Sequence, residues 1–234
     1  SIISQNYYGV SVANGMLGIV SSPEPLKVKN VILAGLYDQY GRGRVSNFIQ
    51  GFNLLNLKLN INGRSVNAES VSNFHQELDM KNAVFITSFD LGDQATVKYS
   101  YSALRHLPYC VLATVEVTAK KDITLTAVNV LETPGALRDA KFTFNEINRK
   151  HIGIQLMSSQ AKSPTGKLSI CATTSFAFSE KRGEEPNVIH EMPDNNLHQM
   201  KFTKSVKSGE IYRFSLVGTT LSSAHSADPY NEAE

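Results

Sequence analysis

Strict alternation of apolar and polar residues is what most narrows the folds open to this chain. Ala95, Val97, Tyr99 and Tyr101 alternate with Thr96, Lys98 and Ser100, and Val111, Ala113, Val115 and Val117 repeat the pattern. Strand side chains point to opposite faces with a period of two, so both runs read as half-buried strands. Residues 83–89 read as a partner ahead of them, joined through Leu91-Gly92-Asp93-Gln94. Lys120-Lys121-Asp122 then turns the chain into residues 123–130, so the pattern predicts an antiparallel meander of four strands.

The rest of the chain reads the same way. Asn14-Gly15 is a turn leading to a short strand at 16–20. Residues 31–37 are almost continuously apolar, as in a strand buried on both faces, and Gly35 within them marks a bulge or a close backbone neighbour. Residues 39–50 lack a period and read as a loop. Leu55, Leu57, Leu59 and Ile61 alternate up to Asn62-Gly63, a dipeptide suited to a two-residue hairpin because both positions need positive φ. A return strand is expected over 64–71. Residues 136–149 are weakly patterned and leave room for a short helix, against their β-branched and aromatic content. Strands at 170–178 and 188–191 flank a charged loop at 180–185. Met200, Phe202 and Val206 are expected to form a hairpin with Tyr212, Phe214 and Leu216 across Lys207-Ser208-Gly209-Glu210.

About a dozen short strands with few helices predict an all-β antiparallel sandwich over residues 1–227. Asp228-Pro229 followed by Glu232 has the chemistry of a helix start: a capping acid, a proline at the first position and negative charge in the first turn. Residues 228–234 are therefore expected to open a helix that continues into a longer parent chain.

Charge excludes some partners. The 234 residues carry 23 basic and 21 acidic side chains, with no run of like charges beyond two, so no nucleic-acid footprint exists. No apolar stretch approaches the roughly 20 residues a membrane-spanning helix needs. The chain starts at Ser1 without Met, which suggests a removed segment. Cys110 and Cys171 read as small buried thiols, or as a pair if their strands are neighbours. His75, His106, His151, His190, His198 and His225 show no spacing that would set two metal ligands on one face. No nucleophile elbow, phosphate loop or dinucleotide motif occurs, so neither metal nor cofactor is expected. Glu184-Glu185 is the only adjacent acidic pair and reads as a solvated loop. Tyr37, Tyr40, Tyr99 and Tyr101 would serve either as a sugar platform or as core. Arg42 and Arg44 lie in a loop, and Arg105-His106 follows a strand; each is either a solvated or paired group or a substrate contact.

Four segments in order, Asn14-Gly15-Met16-Leu17-Gly18, Leu33-Ala34-Gly35-Leu36-Tyr37-Asp38, Gln76-Glu77-Leu78-Asp79-Met80 and Leu104-Arg105-His106-Leu107-Pro108, resemble the N-terminal domain of glycoside hydrolase family 65. That resemblance implies a large sandwich of the galactose-mutarotase-like type, joined by a linker helix to a catalytic α/α-barrel that carries the catalytic glutamate. Phosphorylase members commonly continue the first motif with Arg-Gly; here Gly18 is followed by Ile19-Val20, which tilts the reading towards hydrolysis of an α-glucosidic disaccharide. On this reading the domain is not itself catalytic. Its partners are the barrel of the same parent chain and an α-glucoside at the junction, with a homodimer also entertained. Loops lent to the active-site rim would carry Tyr40, Arg42, Arg44, Arg105 and His106. An exported parent, periplasmic or extracellular rather than cytoplasmic, is expected. The competing functions are a stand-alone carbohydrate-binding module and an aldose epimerase.

Overall fold

The computed structural model describes residues 7–41, 43, 45–150 and 153–234. The chain begins with β1 (Ser11–Ala13), β2 (Leu17–Ser21) and β3 (Val28–Leu33), which form a small sheet of their own. A separate hairpin follows, β4 (Tyr37–Gln39) with β5 (Ser46–Phe48), within the stretch expected to be loop. Next come β6 (Leu57–Ile61), β7 (Arg64–Ser65), β8 (Ser72–Asp79), β9 (Val84–Leu91), β10 (Ala95–Ala103) and β11 (Cys110–Ala119). The second half supplies β12 (Ile123–Glu132), β13 (Arg138–Asn148), β14 (Gly153–Lys162), β15 (Ser169–Phe178), β16 (Ile189–Asp194), β17 (Leu197–Val206) and β18 (Ile211–Ser222). One short helix, α1 (Pro229–Ala233), ends it, with Asp228 as its cap.

Two antiparallel sheets carry the architecture. The larger has eight strands in the order β13-β14-β15-β18-β11-β10-β9-β8, and the smaller five in the order β16-β17-β12-β6-β7. Their facing sides build the core. Val97, Tyr99, Val115, Phe214 and Leu216 come from the large sheet, and Leu57, Leu59, Leu125, Met200 and Phe202 from the small one. Phe202 meets Phe176 and Phe214 edge to face, with centroids 4.9 Å away in both cases. Tyr99 donates from its hydroxyl to the Leu55 carbonyl at 2.8 Å, which satisfies a polar tip inside the core. Tyr99 and Tyr101 are thus core residues, while Tyr37 and Tyr40 are exposed.

Several expectations need correction. The four-strand meander runs β8 to β11, and β12 instead joins the small sheet between β17 and β6. The β17–β18 connection is likewise an arch between sheets rather than a hairpin. The two arches lie side by side: Ala119 N–H donates to Glu210 O, Gly209 N–H to Ala119 O, and Ser208 N–H to the Asp122 carboxylate. The apolar run at 31–37 is broken by a turn at Ala34-Gly35, and the return strand after Asn62-Gly63 is only β7. Both turn residues of that hairpin do have positive φ, 51° and 81°. Residues 138–148 form a strand, not a helix; Phe142, Phe144 and Glu146 share one face of it and Thr143, Asn145 and Ile147 the other.

Cys110 and Cys171 are both free. Their strands β11 and β15 flank β18, so two strand spacings, about 9–10 Å, separate them, beyond disulfide reach.

Candidate functional site

Each of the four segments singled out above turns out to be a brace. The Asn14 side chain closes its own turn, accepting from Met16 N–H at 2.9 Å and Leu17 N–H at 2.8 Å. Its amide nitrogen reaches across to the β10–β11 connection and donates to Leu104 O at 2.8 Å and Pro108 O at 3.0 Å. The first and fourth segments are therefore bolted together. The third is tied to the small N-terminal sheet: Gln76 donates from Nε2 to Ser22 O at 2.7 Å and accepts from the Tyr7 hydroxyl at 3.1 Å.

The second segment has two anchors. His225 lies against Gly35, with Nε2 2.7 Å from Ala34 O and Nδ1 2.8 Å from Ser222 Oγ. A carbonyl can only accept, so Nε2 carries the proton and Nδ1 accepts from the serine. Gly35 has φ +79°, and an added Cβ would sit 3.2 Å from Nε2. The second anchor is Asp38, a buried carboxylate that accepts from Thr165 Oγ1 at 2.7 Å, Thr165 N–H at 2.9 Å and Gln39 N–H at 2.7 Å. Burial works against its charge, but hydrogen bonds from Ser163, Thr165 and the Gln39 amide outweigh it and hold the carboxyl well below the usual range.

These braces present two surface features. One is the β4–β5 hairpin, where Tyr37 pairs with Phe48, both exposed, with Tyr40 and Val45 exposed beyond them. The other is the loop at 104–109, where Arg105 and His106 are exposed and bond to nothing among the described residues. Tyr109 ends that loop and touches the His225 ring at 5.4 Å, which links it to the base of the hairpin. Tyr40 and the Arg105-His106 pair are thus displayed on elements joined through one histidine. Arg42 and Arg44 lie outside the described residues.

Helix α1 covers part of the outer face of the large sheet. Ala233 and Tyr230 pack on Cys171, Leu221 and Tyr109. The Tyr230 hydroxyl bonds Thr143 and Asn145, and the Glu234 side chain accepts from Asn145 and Ser158. Beside it opens a cleft of about 720 Å³, lined among others by Glu146, Gln155, Thr173, Arg182, Glu185 and Glu234. Nothing in the sequence marks it, because it arises from the separation of two strands. Glu185 accepts from Gly183 N–H within its own loop, and Glu234 is taken by Asn145 and Ser158, so two of its three carboxylates are already engaged.

One pair of histidines does meet, against expectation. His190 pairs with Met200, which puts His198 diagonally beside it on the same face of the β16–β17 ladder; His190 Nε2 comes within 2.5 Å of His198 Nε2, and His198 Nδ1 lies 3.1 Å from Ser159 Oγ. The rings stack on Phe144 and Phe142, at 4.5 and 4.9 Å. Burial first, and His190 second, push the His198 imidazole down to about 4. Among the described residues no third histidine, cysteine or carboxylate joins them as a metal ligand set. His151 is outside those residues.

The profile of the Glycosyl hydrolase family 65, N-terminal domain, matches residues 9–234. A kojibiose hydrolase of Mucilaginibacter mallensis is 56% identical over 98% of the chain, and one of Flavobacterium johnsoniae 50% identical over 99%. The chain spans about a third of the length of each, 34%. A solved structure described as "Putative kojibiose phosphorylase from human microbiome" superposes over 92% of the chain and 30% of its own, with TM-score 0.68 at 11% identity, a likeness of fold.

Proposed function

The chain belongs to the glycosyl hydrolase family 65 N-terminal domain family, and from this we propose that it is the non-catalytic sandwich of a larger enzyme that hydrolyses an α-glucosidic disaccharide of the kojibiose type. The observation that carries this reading is the identity of 56% and 50%, across almost the whole chain, to kojibiose hydrolases three times its length. The polar residues of the four segments support it, since Asn14, Asp38 and Gln76 spend their hydrogen bonds on bracing. The role left to this domain is to pack on the catalytic part and display the β4–β5 hairpin and the 104–109 loop towards the substrate, with Tyr40, Arg42, Arg44, Arg105 and His106 as the contacting side chains.

The test is an assay of the full-length protein on kojibiose, with and without inorganic phosphate. Glucose release at the same rate in both conditions is expected. Formation of glucose 1-phosphate would overturn hydrolysis, and turnover by residues 1–234 alone would overturn the non-catalytic role. Arg105→Ala should raise KM at little change in folding stability, because the side chain is exposed and unbonded.

A further inference from the structure

The large sheet is split. The β14–β15 ladder stops at Met157 opposite Thr174, yet both strands run on. Residues 153–156 remain paired to β13 alone, and residues 175–178 to β18 alone. Four residues on each side therefore continue as extended backbone with no ladder partner across the gap, and the cleft of about 720 Å³ lies between them. Leu156, Ser175 and Phe176 are buried at the closed end of the gap, while Gly153 and Ala177 are exposed at its open end. Buried backbone N–H and C=O groups are almost always paired, and the unpaired edge of a strand is a template for one more extended segment.

Three further facts indicate what fills it. The lining holds Glu146, Glu185 and Glu234 against the single guanidinium of Arg182. That imbalance favours an occupant bearing lysine or arginine. Helix α1 brings Ala233 and Glu234 to the lip of the cleft, where Glu234 is held by Asn145 and Ser158. The relatives continue for about two thirds of their length beyond the part this chain matches.

We propose that the gap between β14 and β15 seats an extended, basic segment of the polypeptide following Glu234, added as a strand to one of the two open edges. At about 3.3 Å per residue, four residues would cover the open length, about 13 Å. The inference rests on the reading above, that this domain packs on a later part of the same chain.

Amide hydrogen exchange and carbodiimide cross-linking on the full-length protein test it together. Amides of residues 153–156 and 175–178 should exchange as slowly as those of the paired residues 158–162. Carboxylates of the cleft should couple to a lysine beyond residue 234, and mixing isotopically labelled with unlabelled protein should place that link within one chain. Glu185→Lys should speed exchange at these amides by about tenfold or more. Exchange as fast as in the loop 181–185 would overturn the inference, as would links from the cleft only between copies. If later residues cross-link elsewhere on the sandwich while the cleft stays open, this inference falls and domain packing stands. No link at all between residues 7–234 and later ones sinks both.

Discussion

Gly35 shows how one position can be decided by two independent constraints. Its φ of +79° lies in the region L-residues avoid, at about 1–2 kcal/mol for alanine, and the His225 ring closes on the space a Cβ would take. Gly35→Ala should therefore destabilise the domain by about 1–3 kcal/mol, read as a lower urea midpoint. An unchanged midpoint would show that the histidine yields freely. His198 makes a prediction of a different kind. An unfolded histidine holds its proton below about 6.5, whereas the folded one releases it down to about 4. Between those values the unfolded chain binds more protons, so stability is complete above pH 6.5, falls with pH through that window and levels below 4. The loss is on the order of 3 kcal/mol. His198→Phe, which keeps the stack on Phe142, should flatten the slope of urea midpoint against pH; equal slopes in both proteins would refute the assignment.

At the scale of elements, short turns were easy to read but their partners were not. Asn62-Gly63 closes a hairpin as its dihedral needs demand. Lys120-Lys121-Asp122 and Lys207-Ser208-Gly209-Glu210 look equally like hairpin turns, yet both pass the chain from one sheet to the other. A period-two pattern states which face of a strand is buried and says nothing about which strand lies beside it. The long strand β13 escaped for a related reason. It is the edge of the large sheet, half exposed on both faces, so its alternation is weak. The 104–109 loop depends on a side chain distant in sequence. Asn14→Ala removes two bonds to Leu104 and Pro108 carbonyls and two to its own turn. A loss of about 1–3 kcal/mol is expected, with faster amide exchange at Leu104 and Cys110. Slow exchange there in the variant would mean that the loop holds itself.

Across the whole molecule, the two sheets are joined by more than apolar contact. Asn129 on β12 is fully buried, donates to Leu54 O and Asn56 O, and accepts from Thr174 on β15. This amide therefore spans the sandwich at the residue where the β14–β15 ladder ends. Asn129→Leu keeps the branched shape but strands the Thr174 hydroxyl and the Leu54 carbonyl, while Asn56 O keeps the Val130 N–H, so a loss of about 1–3 kcal/mol per group left unsatisfied is expected. The urea slope should stay the same while the midpoint falls, as for a change of stability within a two-state unit. A changed slope would point instead to sheets that come apart separately.

Alternation, turn dipeptides and the helix-opening Asp228-Pro229 were enough to establish an all-β antiparallel sandwich closed by a short helix, because each is a local rule of dihedral angle and side-chain direction. The order of four short segments was enough to place the family. Their physical role emerged only from the fold: Asn14 meets Leu104 and Pro108, Ala34 meets His225, and Asp38 meets Thr165, each across 90 or more residues of chain. The cleft between β14 and β15, the His190–His198 contact and the crossing of β12 into the second sheet were likewise tertiary decisions. Each depends on which strand settles beside which, and that is settled by burial summed over the whole core rather than by any residue's immediate neighbours.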